Sequence, residues 1–338
     1  MVLVVAVGLA LVGAQPALKV QTLTPGLTVS CPATLKTTPV EKVDDPGMTN
    51  FRVWKGVSGF SSYVVSIDDI KEPDKMETSE VLSGAMGGML ASAENNGREA
   101  KIVGVRDVLL QGWPGLAATV RTSDGLAFSG RYFRTKDHFI QIGCAYPWDA
   151  KPAAVDPFLS SLKLDTTGTK QKPGPELNRF DMGDSGLTAL FPRKPETHTG
   201  KVGKGDTQVP IYTFASDYGL RSFEVAYSDV SPKASTDDAS NKTYCKYITD
   251  DTLKSLDGTA GKQTDIQLNG SPALRTEFTI GDDGKGVMVA SVKDRRAIML
   301  VEFAPTTYDD PATAETFLNS LQPKPAPTTP DAPKTTGG

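Results

Sequence analysis

Apolar side chains fall on alternate positions at Leu27, Val29 and Cys31, and again at Tyr63, Val65 and Ile67. Alternation of period two predicts strands with one buried face. Both sets return 160 residues further on, as Leu187, Ala189 and Phe191, then Phe223, Val225 and Tyr227. Between them, Asp44-Asp45-Pro46-Gly47 and Gly203-Lys204-Gly205-Asp206 carry turn chemistry in corresponding places. Two copies of one unit are expected, each opening with antiparallel strands.

The period then changes. Val81, Leu82, Ala85, Met86, Met89, Leu90 and Ala93 recur at helical spacing, which predicts a helix with a core-facing stripe rather than a methionine-rich binding surface. Gly84, Gly87 and Gly88 weaken that helix and are expected to let it lie close on a sheet. Copy two places Tyr244, Tyr247, Ile248, Leu253 and Leu256 in the matching stretch, as a less regular stripe. A meander follows. Gly112-Trp113-Pro114-Gly115-Leu116 matches Gly270-Ser271-Pro272-Ala273-Leu274, and Asp124-Gly125 and Asp283-Gly284 are hairpin signals. Phe139–Tyr146 and Ala297–Ala304 supply a last strand. Val155, Phe158, Leu159 and Leu162 match Ala314, Phe317, Leu318 and Leu321, both at the spacing of a short amphipathic helix. The predicted fold class is α+β: two tandem copies of a layered domain, each an antiparallel sheet with helices covering its faces.

A leading strand that ends in Phe-Pro, a middle Asn-Gly-Ser-Pro-Ala segment (Asn269–Ala273) and a closing Phe-Leu-x-Ser-Leu helix resemble the PsbP/Mog-like superfamily, which includes bacterial envelope proteins of the DcrB and LpqN type. The resemblance spans both copies, residues 20–164 and 178–322. Copy one departs from it with Cys31 in place of the aromatic and Gln111 in place of the Asn. It implies an α/β/α sandwich with a central antiparallel sheet in each copy, and diverse, mostly non-catalytic roles. No functional residue carries over from it.

The ends read differently. Residues 1–14 are small and apolar, with Val12-Gly13-Ala14 as a cleavage site, so a secretory signal is expected although the basic n-region is missing. A buried first strand or helix is the alternative. The run before Gln15 is short for a membrane anchor, and only an uncleaved N-terminus would hold the chain to a membrane. Residues 165–177 have linker composition, and residues 323–338 form a Pro/Thr-rich tail expected to be disordered. An extracytoplasmic place follows: periplasmic, cell-surface or secreted.

Charge excludes one class of partner. Residues 15–164 carry 16 basic and 16 acidic side chains, and the rest of the chain carries 20 and 24. Neither half offers the positive field that phosphate neutralisation needs, so no nucleic-acid partner is expected.

Candidate chemistry is sparse. Cys31 and Cys144 are a possible disulfide in an oxidising compartment, with Cys245 left odd; Cys31 aligns with Phe191, and its alternative reading is a small buried hydrophobe. His138 and His198 do not repeat between copies and have no partner at metal-ligand spacing, so both are expected to be exposed loop histidines. His138 and Cys144 are about 20 Å apart if they share a strand, too far for a dyad. Asp68-Asp69, Asp237-Asp238, Asp250-Asp251 and Asp309-Asp310 point to opposite faces when extended and make poor acid pairs. Asn241-Lys242-Thr243 is a glycosylation sequon that matters only in a eukaryotic secretory system. Trp54 aligns with Phe214 and reads as core, whereas Trp113 and Trp148 belong to copy one alone and are the possible ligand or partner surface. No catalytic, cofactor-binding or metal residue is assigned and no cofactor is expected. The favoured reading is a non-catalytic binding or assembly module with an unknown protein or small ligand of the envelope as partner. The alternative is a secreted hydrolase with its site between the two domains.

Overall fold

The computed structural model describes residues 17–39, 47–95, 97–170, 172–203, 208–230, 237–308 and 310–324. The apolar start, most of both early turns and most of the tail lie outside the described residues.

Copy one runs β1 (Lys19–Thr24), β2 (Leu27–Cys31), β3 (Lys36–Thr38), β4 (Met48–Ser58), β5 (Ser61–Ile70), α1 (Thr78–Asn95), β6 (Ala100–Leu110), β7 (Trp113–Thr122), β8 (Leu126–Arg134), β9 (His138–Pro147), α2 (Val155–Ser160) and β10 (Lys163–Leu164). Copy two repeats this as β11 (Asn178–Asp181), β12 (Leu187–Phe191), β13 (Glu196–Val202), β14 (Val209–Tyr218), β15 (Arg221–Asp229), α3 (Asp238–Ser255), β16 (Gly258–Leu268), β17 (Ser271–Ile280), β18 (Gly284–Lys293), β19 (Arg296–Pro305), α4 (Pro311–Leu318) and β20 (Gln322–Pro323). Each copy folds into a seven-stranded antiparallel sheet, ordered β3-β4-β5-β9-β8-β7-β6 and β13-β14-β15-β19-β18-β17-β16. The identical order makes the duplication structural as well as textual.

The two faces of each sheet are covered differently. In copy one, Val81, Leu82 and Met86 of α1 pack on Val105, Leu116, Ala118, Tyr132 and Phe139. The opposite face, with Tyr63, Val65, Phe133, Ile140 and Ile142, receives α2 and the small sheet β1-β2-β10. Sheet alternation puts neighbours in sequence on these two faces, so each copy is an α/β/α sandwich.

The repeated motifs now have a physical reason. The Ser of Phe-Leu-x-Ser-Leu ties the closing helix to the leading strand. Ser161 Oγ accepts the Ser30 N–H at 2.8 Å, and Ser320 Oγ accepts the Leu190 N–H at 3.0 Å. The departures in copy one keep their jobs. Cys31 and Phe191 are both fully buried. Gln111 and Asn269 both take the left-handed conformation, at φ 50° and 52°. Their side-chain amides donate to Leu164 O at 2.8 Å and to Leu321 O at 2.7 Å.

Four expectations are corrected. A Cβ built on Gly84, Gly87 or Gly88 meets no atom within 4 Å, so these glycines do not serve close packing of α1. His198 lies in β13, an edge strand, rather than in a loop. His138 opens β9 with Nδ1 3.0 Å from Asp69 Oδ1, so it is not a loop histidine either. The tail does not begin at once: Pro323 pairs with Leu187, and the Lys324 N–H donates to Gly186 O at 2.8 Å.

The copies are joined. One apolar cluster contains α1 with its sheet together with Phe191, Phe214, Tyr218, Phe223 and Phe317 of copy two. Around it, Ser83 Oγ donates to Gly219 O at 2.8 Å, Lys101 pairs with Asp283 at 2.6 Å, and Val105 bridges to Tyr308. The linker is strapped down as well. The Gly168 N–H donates to Gln111 O at 2.8 Å, and each of Gly168 and Gly112 occupies the place a Cβ would need on the other. Only glycine permits that approach of two backbones.

Candidate functional site

Cys31 and Cys144 lie in the α2-side core of copy one, both buried and both free thiols. Burial pushes the Cys31 thiol up to about 11 and the Cys144 thiol higher still, with Cys31 adding to the shift. Burial also lifts Cys245 to about 11. All three are neutral at pH 7 and poor nucleophiles. The pairing of Cys31 with Cys144 stays an expectation for the oxidised protein. Trp113 and Trp148 do not share a surface. Trp113 begins β7, whereas Trp148 stacks on Arg121 near the strand's far end, with the guanidinium 5.2 Å from the ring centroid. About 3.3 Å per residue puts roughly 25–30 Å between them. One member of each of three acidic pairs takes a structural role, since Asp69 pairs with Arg52 at 2.6 Å, Asp237 caps α3 and Asp250 pairs with Lys246, while Asp309 lies outside the described residues.

Two places concentrate chemistry that sequence reading missed. The first is a groove in copy one, about 370 Å³ in volume, between the ends of β6 and β8 and the segment from α2 to β10. Leu109, Leu110, Phe133, Leu159, Leu162 and Leu164 line it, with Gln111, Arg131, Ser160 and Lys163. Trp113 pairs with Leu110 at its margin, and the buried indole N–H has no hydrogen-bond partner. Arg131 is half-buried and donates to Ser160 Oγ at 2.9 Å. Burial, and then the like charge of Arg106, push its guanidinium down.

Register explains why copy two lacks this arrangement. Across β6, β7 and β8 one row reads Arg106, Ala117, Arg131. The matching row across β16, β17 and β18 reads Thr264, Arg275, Val289. Arg275 is held by Glu315 of α4 through two bonds of 3.1 and 2.5 Å. The helix acid of copy one, Asp156, pairs instead with Lys151 at 2.8 Å. Arg106, Arg131 and Lys163 thus make no ion pair among the described residues. The groove's Leu109, Phe133, Lys163 and Leu164 correspond to Gln267, Ser291, Gln322 and Pro323 in copy two.

The second place is a charge cluster at the seam between the copies. Arg221 is 1% exposed. Its Nε donates to Glu302 at 2.8 Å and its Nη1 to Asp310 at 2.6 Å, while the guanidinium lies 5.2 and 5.0 Å from the rings of Phe223 and Tyr308. Asp310 also caps α4. Asp107 reaches this cluster from copy one. Both its carboxylate oxygens are buried without a full hydrogen bond, as are the hydroxyls of Tyr218 and Tyr308. Burial lifts the Asp107 carboxyl to about 6, against the pull of Tyr308, Arg221 and Lys170. Burial also acts on Asp310, but Thr313 and Arg221 outweigh it and hold that carboxyl below its usual range. Gly174 of the linker lies over the cluster: a Cβ there would sit 3.3 Å from Asp107 Oδ2 and 3.6 Å from Asp310 Oδ2. The repeat held a signal for this pair, since Ser61 and Cys144 of copy one become Arg221 and Glu302 in copy two. Two small neutral residues turn into opposite charges together.

No family model matches the sequence, and no curated protein matches it. Among solved structures the chain is similar to cyanobacterial PsbP (CyanoP) from Synechocystis, at 11% identity and a TM-score of 0.32, over 46% of this chain and 96% of that one. It is similar to the immunity protein TplEi of the T6SS of Pseudomonas aeruginosa at 11% identity and a TM-score of 0.24, over 92% of this chain and 100% of that one. Similarity to MucB in the MucA/MucB complex of Pseudomonas aeruginosa stands at 12% identity and a TM-score of 0.20, over 82% and 88% of the two chains. None of these likenesses assigns a function.

Proposed function

We propose that this chain is a non-catalytic binding module of the cell envelope, with tandem domains of the PsbP/Mog-like, DcrB/LpqN type, in which copy one binds and copy two braces it. The apolar run before Gln15 supports a place outside the cytoplasm. The observation that carries the reading is the asymmetry of the copies: the groove is open in copy one, and Arg275 with Glu315 occupies the matching row in copy two. Capture from envelope extract by the full chain tests it. Capture is expected to fall when Leu164→Arg, at a half-buried position of its wall, narrows the groove, and to persist in Glu315→Gln. Equal capture by all three forms, or turnover of a substrate without capture, contradicts it.

One observation favours the hydrolase reading. Asp107, with its carboxyl lifted to about 6, lies beside Tyr308 at the junction of the copies, and displaced acidities gather at active sites. Against it, the linker lies over the cluster, and Arg221 is committed to Glu302 and Asp310. Ester hydrolysis that Asp107→Asn abolishes would establish that reading.

A further inference from the structure

We infer that the copy-one groove takes an anionic amphiphile: a single alkyl chain carrying a phosphate or carboxylate head. This rests on the reading of copy one as the binding copy. Two features coincide there, an apolar floor and a set of cations, and the cations are lost in copy two. Leu110, Phe133, Leu159, Leu162 and Leu164 give the groove an apolar floor, and Arg131 and Lys163 stand among them as cations. In copy two Arg131, Lys163 and Phe133 become Val289, Gln322 and Ser291, while Leu110, Leu159 and Leu162 remain leucine as Leu268, Leu318 and Leu321.

The positive charge is only partly offset: Asp156 acts on Arg131 without an ion pair, and none of Arg106, Arg131 and Lys163 has an ion-pair partner among the described residues. Arg106 and Arg131 share one sheet face with only the methyl of Ala117 between them, two strand spacings or about 10 Å apart. The like charge of Arg106 adds to burial in disfavouring the charged form of the half-buried Arg131. An anionic head between them removes that repulsion and accepts hydrogen bonds in the planar fork geometry that guanidinium offers. A free anion alone would gain little, because Arg106 and Lys163 are exposed to water. The leucine floor supplies the larger part through the alkyl chain. The volume of about 370 Å³ lies within the range of small-molecule sites.

The test is calorimetric titration of the full chain with dodecyl phosphate and dodecanoate below micelle formation. Octyl phosphate, inorganic phosphate and neutral dodecyl maltoside serve as comparisons. One molecule of either dodecyl anion is expected to bind per chain, with affinity rising up to roughly fourfold per methylene from octyl to dodecyl phosphate. Arg106→Gln with Arg131→Gln is expected to weaken binding at least tenfold. Ala117→Glu, which places a carboxylate between the two guanidiniums, is expected to do the same in a protein whose circular dichroism is unchanged. Binding of inorganic phosphate with no gain from the chain overturns the inference, as does equal binding of dodecyl maltoside or binding that survives both variants. Absence of amphiphile binding in a protein that still captures an envelope component through the groove overturns this inference and leaves the binding-module reading standing. Loss of both sinks both.

Discussion

Asp107 is the residue whose environment has the clearest consequence. Its carboxyl titrates near 6 in the folded chain against an ordinary value of 3.8, so the folded form holds the proton more tightly than the unfolded form. The stability that goes with this is fully present below pH 4 and is lost as pH rises through 6. Two pKa units correspond to about 3 kcal/mol at most. Asp107 faces Tyr308, Tyr218, Arg221, Asp310 and Lys170, and Asp310, held low, contributes in the opposite direction. Comparison with a variant isolates Asp107: Asp107→Asn is expected to gain stability over the wild type between pH 4 and 8 in urea unfolding, by up to about 3 kcal/mol. A constant difference across that range would contradict the assignment. Arg221 gives a second residue-level prediction. Arg221→Ser strands Glu302 in the core and is expected to cost about 3–5 kcal/mol. Adding Glu302→Cys recreates the Ser61 and Cys144 pair of copy one and is expected to recover a good part of that loss. A double variant no more stable than Arg221→Ser would mean that Glu302 is not the stranded charge.

At the scale of elements, the strands, both hairpin meanders and the closing helices were legible because alternation, turn chemistry and the Leu159 and Leu318 quartets are local signals. The short strands β10 and β20 were not. Two residues carry no periodicity, and they are held by pairing with β2 and β12, which lie far back in sequence. Composition misled at α1. Its glycines looked like a packing device, but Gly84 and Gly87 face open space. Gly84→Ala and Gly87→Ala are therefore each expected to stabilise the protein by about 0.5–1 kcal/mol, read as a higher unfolding midpoint. Destabilisation by either would show that α1 packs more tightly than described. The closing motif predicts the reverse. Ser161→Ala and Ser320→Ala each remove the acceptor for a leading-strand N–H, and each is expected to cost about 1 kcal/mol in the same assay. A cost in only one copy would contradict an equivalent role for the motif.

For the whole molecule, the repeat announced two copies but not how they meet. The seam depends on pairings such as Lys101 with Asp283 and Val105 with Tyr308, which no local pattern encodes. The groove was half legible. Trp113, singled out as belonging to copy one alone, lies at its margin, while Arg106 and Arg131 emerge as a pair only once register sets Ala117 between them. Trp148, equally specific to copy one, lies at the other end of the strand. Duplication thus kept a scaffold, and the copies diverged where one sheet row changed from Arg-Ala-Arg to Thr-Arg-Val. The claim that copy one binds and copy two does not is tested most directly by hydrogen exchange of the full chain, alone and after capture of its envelope component. The account predicts new protection at Leu109–Gln111 and Leu159–Leu164, with none at the matching Gln267–Asn269 and Leu318–Pro323. Protection confined to copy two, or to the seam around Asp107 and Arg221, would contradict it.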